Sequence, residues 1–183
     1  MRKLAIVLAA SGALALSVTS VPAAASFESA EAKSAAADAA ENARQDMLEA
    51  FGEKTLKPGQ YLWRDVPGSG PARVVVSLGE QLAYLYKGDT LVGVSTISSG
   101  TEKNPTPTGI FPILEKKRFH RSIKYENAPM PFMQRLDKYG TALHGGHLPG
   151  YPASHGCIRL PAQFAAKLFT MTDVGTPVMV GAS

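Results

Sequence analysis

Hydrophobic and polar positions change rhythm twice along this chain, and each change marks a different kind of segment. Leu4 to Val18 is apolar and rich in Ala and Leu behind the basic start Met1-Arg2-Lys3, and Pro22-Ala23-Ala24-Ala25 places small residues ahead of Ser26. This order predicts a secretory signal peptide over residues 1–25, cut before Ser26, with an uncleaved anchor as the alternative. Ser11, Gly12 and Ser17 break the apolar run, which falls short of the roughly 20 residues of a membrane span. The mature chain is therefore expected to be exported, with no stable membrane span.

From Ser26 to Lys57 the pattern is that of a helix former, with Ala35-Ala36-Ala37 and Ala39-Ala40 among Glu, Lys and Gln, then Met47, Leu48 and Phe51. A helix from Glu31 to Ala50 is predicted, with Gly52 as its stop. Few large apolar residues precede Met47, so residues 26–57 read as an Ala-rich helical spacer whose first half is solvated. Pro58-Gly59 and Pro67-Gly68-Ser69-Gly70-Pro71 punctuate residues 58–72, a linker or leading segment around Tyr61-Leu62-Trp63.

Beyond Arg73 the rhythm becomes that of strands. Val74 to Leu78, Leu82 to Tyr86 and Leu91 to Ile97 are β-branched and aromatic, with turn chemistry at Gly79-Glu80 and Lys87-Gly88-Asp89, and they predict a β-meander. Pro105-Thr106-Pro107-Thr108-Gly109 cannot continue a ladder and predicts a loop before a strand at Ile110 to Leu114. Thr141-Ala142-Leu143 is a further strand running into His144. Behind Pro161, the spacing of Phe164, Leu168 and Met171 predicts one short helix, and Val178-Met179-Val180 a closing strand. The expected fold is mainly β, one domain over residues 73–183.

Composition adds little to this picture, and charge removes one option. Hydrophobic content of 45% and charged content of 19% are those of an ordinary globular domain. Of 19 Lys and Arg against 15 Asp and Glu, Arg2 and Lys3 leave with the leader, and the mature net charge falls to +2. No basic run interleaved with aromatics exists, so nucleic acid is not an expected partner.

Candidate chemistry gathers around the single cysteine, Cys157, in Ser154-His155-Gly156-Cys157-Ile158-Arg159, downstream of Leu143-His144-Gly145-Gly146-His147. With one cysteine, no intramolecular disulfide can form, and an exported free thiol beside histidines reads as a nucleophile. The thiolate is the reactive form, so a base is required. His144, at a strand end, is the expected general base, and His155 shapes the substrate slot. Gly156 removes a side chain where a carbonyl must approach, and the amides of Gly156 and Cys157 can face an oxyanion. Arg159 serves either to bind a carboxylate or to hold the loop. The same residue types, His144, His147, His155 and Cys157, also suit zinc, but Gly156 and the Pro-rich loop imply an open approach to the thiol rather than a closed chelate. His147 is read as a loop residue lining the cleft. No metal and no cofactor are expected.

At these positions the chain resembles the L,D-transpeptidase catalytic domain family, also called YkuD, whose motif is His-Gly, a variable stretch, then Ser/Thr-His-Gly-Cys with Arg or Asn two positions on. Here the motif is His144-Gly145, then Ser154-His155-Gly156-Cys157 with Arg159. The resemblance extends through Gln81 to Tyr86, Ser98-Ser99-Gly100, Thr106 to Gly109 and Gly175 to Val178, so it spans roughly Arg73 to Val180. Ala128 to Met133 resembles a lid, and Leu148 to Ala153, with Tyr151, an active-site loop. The resemblance implies a β-sandwich-like fold with a short helix after the catalytic loop. It also implies a periplasmic enzyme acting on peptidoglycan stem peptides. Cys157 would attack the carbonyl of the third stem residue, usually meso-diaminopimelate, and expel the terminal D-alanine. The resulting thioester would pass to an amine of a second stem, an envelope lipoprotein or a D-amino acid, or to water. His144 would move the protons, oriented by the Gly145 carbonyl, and Ser154 would complete the pocket with His155 and Gly156. A catalytically silent wall-binding module on the same fold is the remaining alternative.

Overall fold

The computed structural model describes residues 27–65 and 70–183. The signal peptide expected over 1–25 lies outside them, as does the middle of the linker.

The long helix, α1 (Ala30–Phe51), starts where the extended Ser29 turns its hydroxyl to accept the Ala32 amide at 3.1 Å, an N-cap that satisfies an otherwise orphaned donor. Six strands form the larger sheet: β1 (Tyr61–Trp63), β2 (Ala72–Ser77), β3 (Leu82–Lys87), β4 (Thr90–Thr96), β5 (Gly109–Pro112) and β10 (Pro177–Gly181), in the order β1-β4-β3-β2-β10-β5. The antiparallel run β2-β3-β4 is the expected meander, and β10 closes on β2 in parallel, with Val178 opposite Val74. Four short strands form the second sheet: β6 (Glu115–Lys117), β7 (Met133–Arg135), β8 (Ala142–Gly145) and β9 (Ile158–Leu160). The short helix α2 (Ala162–Met171) follows β9.

The strand runs of the meander are apolar at consecutive positions because both faces of the larger sheet are covered. Val74, Val76, Ala83 and Leu85 face the second sheet and α2, in one core with Leu143, Ile158, Leu160, Phe164 and Leu168. Val75, Tyr84, Tyr86 and Val94 face the other way, onto Ala40, Ala43 and Met47 of α1. The protein is thus layered: α1, the larger sheet, then the second sheet with α2.

This packing corrects the reading of residues 26–57 as a spacer whose first half is solvated. Ala36, Ala40, Ala43 and Met47 recur every three or four residues and are all buried. The stripe is made of alanines, so it carries little hydrophobic weight, yet their small size lets helix and sheet backbones approach closely. A Cβ added at Gly181 of β10 would meet the Ala36 carbonyl oxygen at 2.6 Å. Polar groups fasten the same face: the Tyr86 hydroxyl donates to Asp46 Oδ2 at 2.6 Å, and the Tyr84 hydroxyl donates to Glu80 Oε2 at 2.8 Å. Glu80 also pairs with Arg44 of α1 at 3.4 Å. Burial, with these carboxylates as partners, pushes both tyrosine hydroxyls well above the ordinary phenol range.

Candidate active site

β8 and β9 run parallel with Leu143 opposite Ile158 and His144 opposite Arg159. Side chains alternate along strands, and Leu143 and Ile158 are fully buried in the core. The flanking positions therefore point the other way, Ala142 and His144 from β8, Cys157 and Arg159 from the start of β9. His144, Cys157 and Arg159 accordingly line one cavity of about 720 Å³.

The segment carrying the thiol is held from both sides. Ser98 exchanges backbone hydrogen bonds with Arg159 at 3.0 Å each way, which ties the end of the meander to β9. Thr106 Oγ1 accepts the Gly100 amide and donates to the Gly156 carbonyl, both at 2.9 Å. Ser154 is buried, and its hydroxyl donates to the Cys157 carbonyl while accepting the Gly156 amide at 3.1 Å. Gly156 has φ of 107°, a region that side chains other than glycine rarely adopt. An added Cβ there would come no nearer than 3.7 Å to its neighbours, so backbone conformation rather than crowding requires the glycine.

Burial disfavours the charged form of both the thiol and the imidazole. Burial pushes the Cys157 thiol above the ordinary cysteine range, with the Asp137 carboxylate adding to it, against the Ala142 amide hydrogen bond and the charges of Arg159 and Lys124. Its Sγ donates to the Gly140 carbonyl at 3.7 Å. Burial holds His144 below the ordinary histidine range, opposed by its bond to Gly145 and assisted by the cation Arg159 and by His120. His144 Nδ1 lies 2.9 Å from the Gly145 carbonyl oxygen. A carbonyl only accepts, so Nδ1 carries the proton and Nε2 of the neutral ring keeps a basic lone pair.

His155 and Gly156 also line the cavity. His155 is exposed and stacks on Tyr125 with ring centroids 4.3 Å apart and planes inclined by 22°. Tyr125 belongs to the arm between β6 and β7, residues 118–132, which lines one side of the cavity. Its stem is closed by Met130 N to His120 O and Phe132 N to Arg118 O, both 2.9 Å. Ala128, Pro129 and Met130 of the expected lid line the cavity, and Met130, Met133 and Ala142 pack on Cys157.

Other expectations need correction. Tyr151 is 62% exposed, and neither its ring nor any other part of Leu148 to Ala153 lines the cavity. The Tyr151 backbone carbonyl instead accepts the Ser98 hydroxyl at 2.8 Å. His147 is exposed and outside the cavity, because the chain turns away after Gly146. The Gly156 amide is committed to Ser154, which leaves the Cys157 amide as the remaining one of the two expected oxyanion donors. Among the described residues no group of three His, Cys, Asp or Glu side chains is placed to hold a metal ion.

Three supporting residues escaped the sequence reading. Asp137 Oδ1 accepts the amides of Tyr139, Gly140 and Thr141 at 2.8, 2.8 and 2.9 Å, and so fixes the loop whose Gly140 carbonyl faces the thiol. An Asp three residues ahead of a Gly is a turn signal that could have found it. Thr106 sits in a Pro-rich loop whose sequence signals only a turn, and Tyr125 has no local signal at all.

A half-buried thiol and a carbonyl-oriented imidazole lie on one face of a parallel strand pair, residue types that suit acyl transfer. Comparison with known proteins places the chain more narrowly. The sequence profile of the L,D-transpeptidase catalytic domain, YkuD, matches residues 71–180, and the YkuD protein of Bacillus licheniformis is 30% identical over 120 residues, which cover 62% of this chain and 68% of that one. The chain belongs to the L,D-transpeptidase catalytic domain (YkuD) family, a family of enzymes.

Solved structures agree in fold. An L,D-transpeptidase from Mycobacterium tuberculosis superposes with a TM-score of 0.57 at 23% identity, covering 60% of this chain and 57% of its own. One from Enterococcus faecium gives 0.52 at 25% identity, covering 61% and 50%. A third, from Stackebrandtia nassauensis, gives 0.56 at 22%, covering 75% and 65%. This chain thus spans between half and two thirds of the length of these structures.

Proposed function

We propose that the protein is an exported cysteine L,D-transpeptidase that works on peptidoglycan stem peptides in the periplasm through a thioester on Cys157. The observation that carries this is the pairing of β8 with β9. It turns the thiol and an imidazole whose Nδ1 is fixed by the Gly145 carbonyl to the same face, where both line one cavity.

In the first half-reaction Sγ attacks the carbonyl carbon of the third stem residue and His144 Nε2 takes the thiol proton. The Cys157 amide faces the developing oxyanion. Collapse breaks the C–N bond to the terminal D-alanine, whose nitrogen takes the proton back from His144, and leaves the thioester. In the second half-reaction an amine attacks the thioester, passes its proton to His144, and the proton returns to the departing sulfur. No acidic third member is needed, since the Gly145 carbonyl orients the ring. The acceptor is a neighbouring stem, an envelope lipoprotein lysine, a D-amino acid or water. Export rests on the leader over 1–25, and no helix among the described residues is long and apolar enough to cross a membrane.

Mass spectrometry of tetrapeptide-stem muropeptides, incubated with the purified protein and each acceptor in turn, tests this reading and names the acceptor. D-alanine loss with a new amide or a tripeptide supports it. Stems left unchanged by the wild type refute it.

A further inference from the structure

The cavity that holds Cys157 is strongly cationic. Its wall carries Lys103, Lys117, Lys124, Arg135, Lys138 and Arg159 against a single carboxylate, Glu115. That carboxylate is already spent: Glu115 binds Lys117 at 2.7 Å and Arg135 at 3.0 Å. Asp137, which acts on the thiol from nearby, has its Oδ1 occupied by three backbone amides. The other four cations form no ion pair among the described residues. Lys124 donates to the Tyr139 carbonyl at 3.1 Å, and Lys138 sits 5.1 Å from the Tyr139 ring centroid, so both are held at the exposed rim without a carboxylate partner. Lys103 comes from the loop between β4 and β5. Arg159 lies over Gly146, where an added Cβ would meet its Cδ and Cγ at 3.3 Å, and its charge is felt by both Cys157 and His144. A fixed surplus of positive charge in a half-enclosed cavity concentrates anionic ligands and costs binding when a ligand charge is deleted.

We infer that this cavity selects donor stems whose carboxylates are free rather than amidated, with Lys124 and Lys138 as specificity residues at its mouth. The inference rests on the reading of the protein as an L,D-transpeptidase. A tetrapeptide stem presents carboxylates on its second and third residues and at its C-terminus, and amidation of the third residue removes one negative charge without changing the scissile bond. The arm between β6 and β7 is what brings Lys124 to the cavity wall.

The test uses two synthetic tetrapeptide stems that differ only in whether the third residue's side-chain carboxyl is free or a carboxamide. Acylation of Cys157 is followed for each by D-alanine release, at low and at high salt. The wild type is expected to favour the free acid about tenfold at low salt, with the preference shrinking as salt screens it. Lys124→Gln and Lys138→Gln should each cut that ratio roughly threefold. The ratio is taken within one protein, so a loss of fold or of total activity cancels. Equal rates on both stems, or a ratio untouched in the double variant, overturn the inference while the transpeptidase reading stands. Acylation by neither stem removes both.

Discussion

Replacing Met47 by Ala asks whether α1 is part of the folded body. Met47 is 1% exposed and packs with Ala40, Ala43 and the outward side chains of the larger sheet. The change deletes three non-hydrogen atoms, worth about 2.4 kcal/mol at about 0.8 kcal/mol per buried methylene. The space left behind raises the cost to about 3 kcal/mol. For a domain near 150 residues that lowers Tm by about 9 °C, at about 3 °C per kcal/mol. A solvated helix gives the opposite sign, because alanine is the better helix former and gains a few tenths of a kcal/mol there. Thermal unfolding followed by circular dichroism, checked by the urea midpoint, separates the two. An unchanged or raised Tm in Met47→Ala would refute the packing argument. Substrate acylation well below Tm should be unaffected, since Met47 lies across the larger sheet from the cavity.

Thr106→Val removes the hydroxyl that joins the Gly100 amide to the Gly156 carbonyl. It should cost about 1–3 kcal/mol of stability in urea unfolding and lower kcat. His155→Ala should loosen the arm beside the cavity by the roughly 0.5–1.5 kcal/mol of an aromatic stack, seen as faster amide exchange across residues 119–130. His155→Phe should restore it. For pH, burial holds His144 below the ordinary histidine range, so the folded protein releases this proton at a lower pH than the unfolded chain does. The stability this contributes is fully present above the unfolded value of about 6.5 and is lost as pH falls through the folded one. Acid unfolding of His144→Asn should lack that slope. Acylation should persist to lower pH than an ordinary histidine base would allow, and alkylation of the resting thiol by iodoacetamide should rise only above the ordinary cysteine range.

Much of this architecture is written locally. The β2-β3-β4 meander was legible because its residues are β-branched and aromatic and its turns carry glycine. His144 and Cys157 were legible because their neighbours make little sense as packing residues. The three-residue strands were not. Tyr61–Trp63, Glu115–Lys117 and Met133–Arg135 become strands by pairing with distant partners, and so short a run holds no period of its own. Ile158-Arg159-Leu160 does alternate, buried, half-exposed, buried, but three residues beside a glycine-containing motif are too few to mark a strand. The two-sided burial of Val74-Val75-Val76 implied a cover on the second face. The alanine stripe that supplies it is weak by hydropathy and strong by shape. Tyr125 reaches His155 only through the tertiary path of the arm.

The central claim is that Cys157 carries the acyl group and that His144 takes the thiol proton and passes it to the leaving amine. Intact-protein mass spectrometry after mixing with a tetrapeptide stem tests it most directly. The wild type should gain the mass of the stem less D-alanine, mapped by digestion to Cys157. Cys157→Ala should gain nothing, and His144→Ala should acylate about 10²- to 10⁴-fold more slowly. An adduct that survives in Cys157→Ala, or undiminished acylation in His144→Ala, would contradict the account.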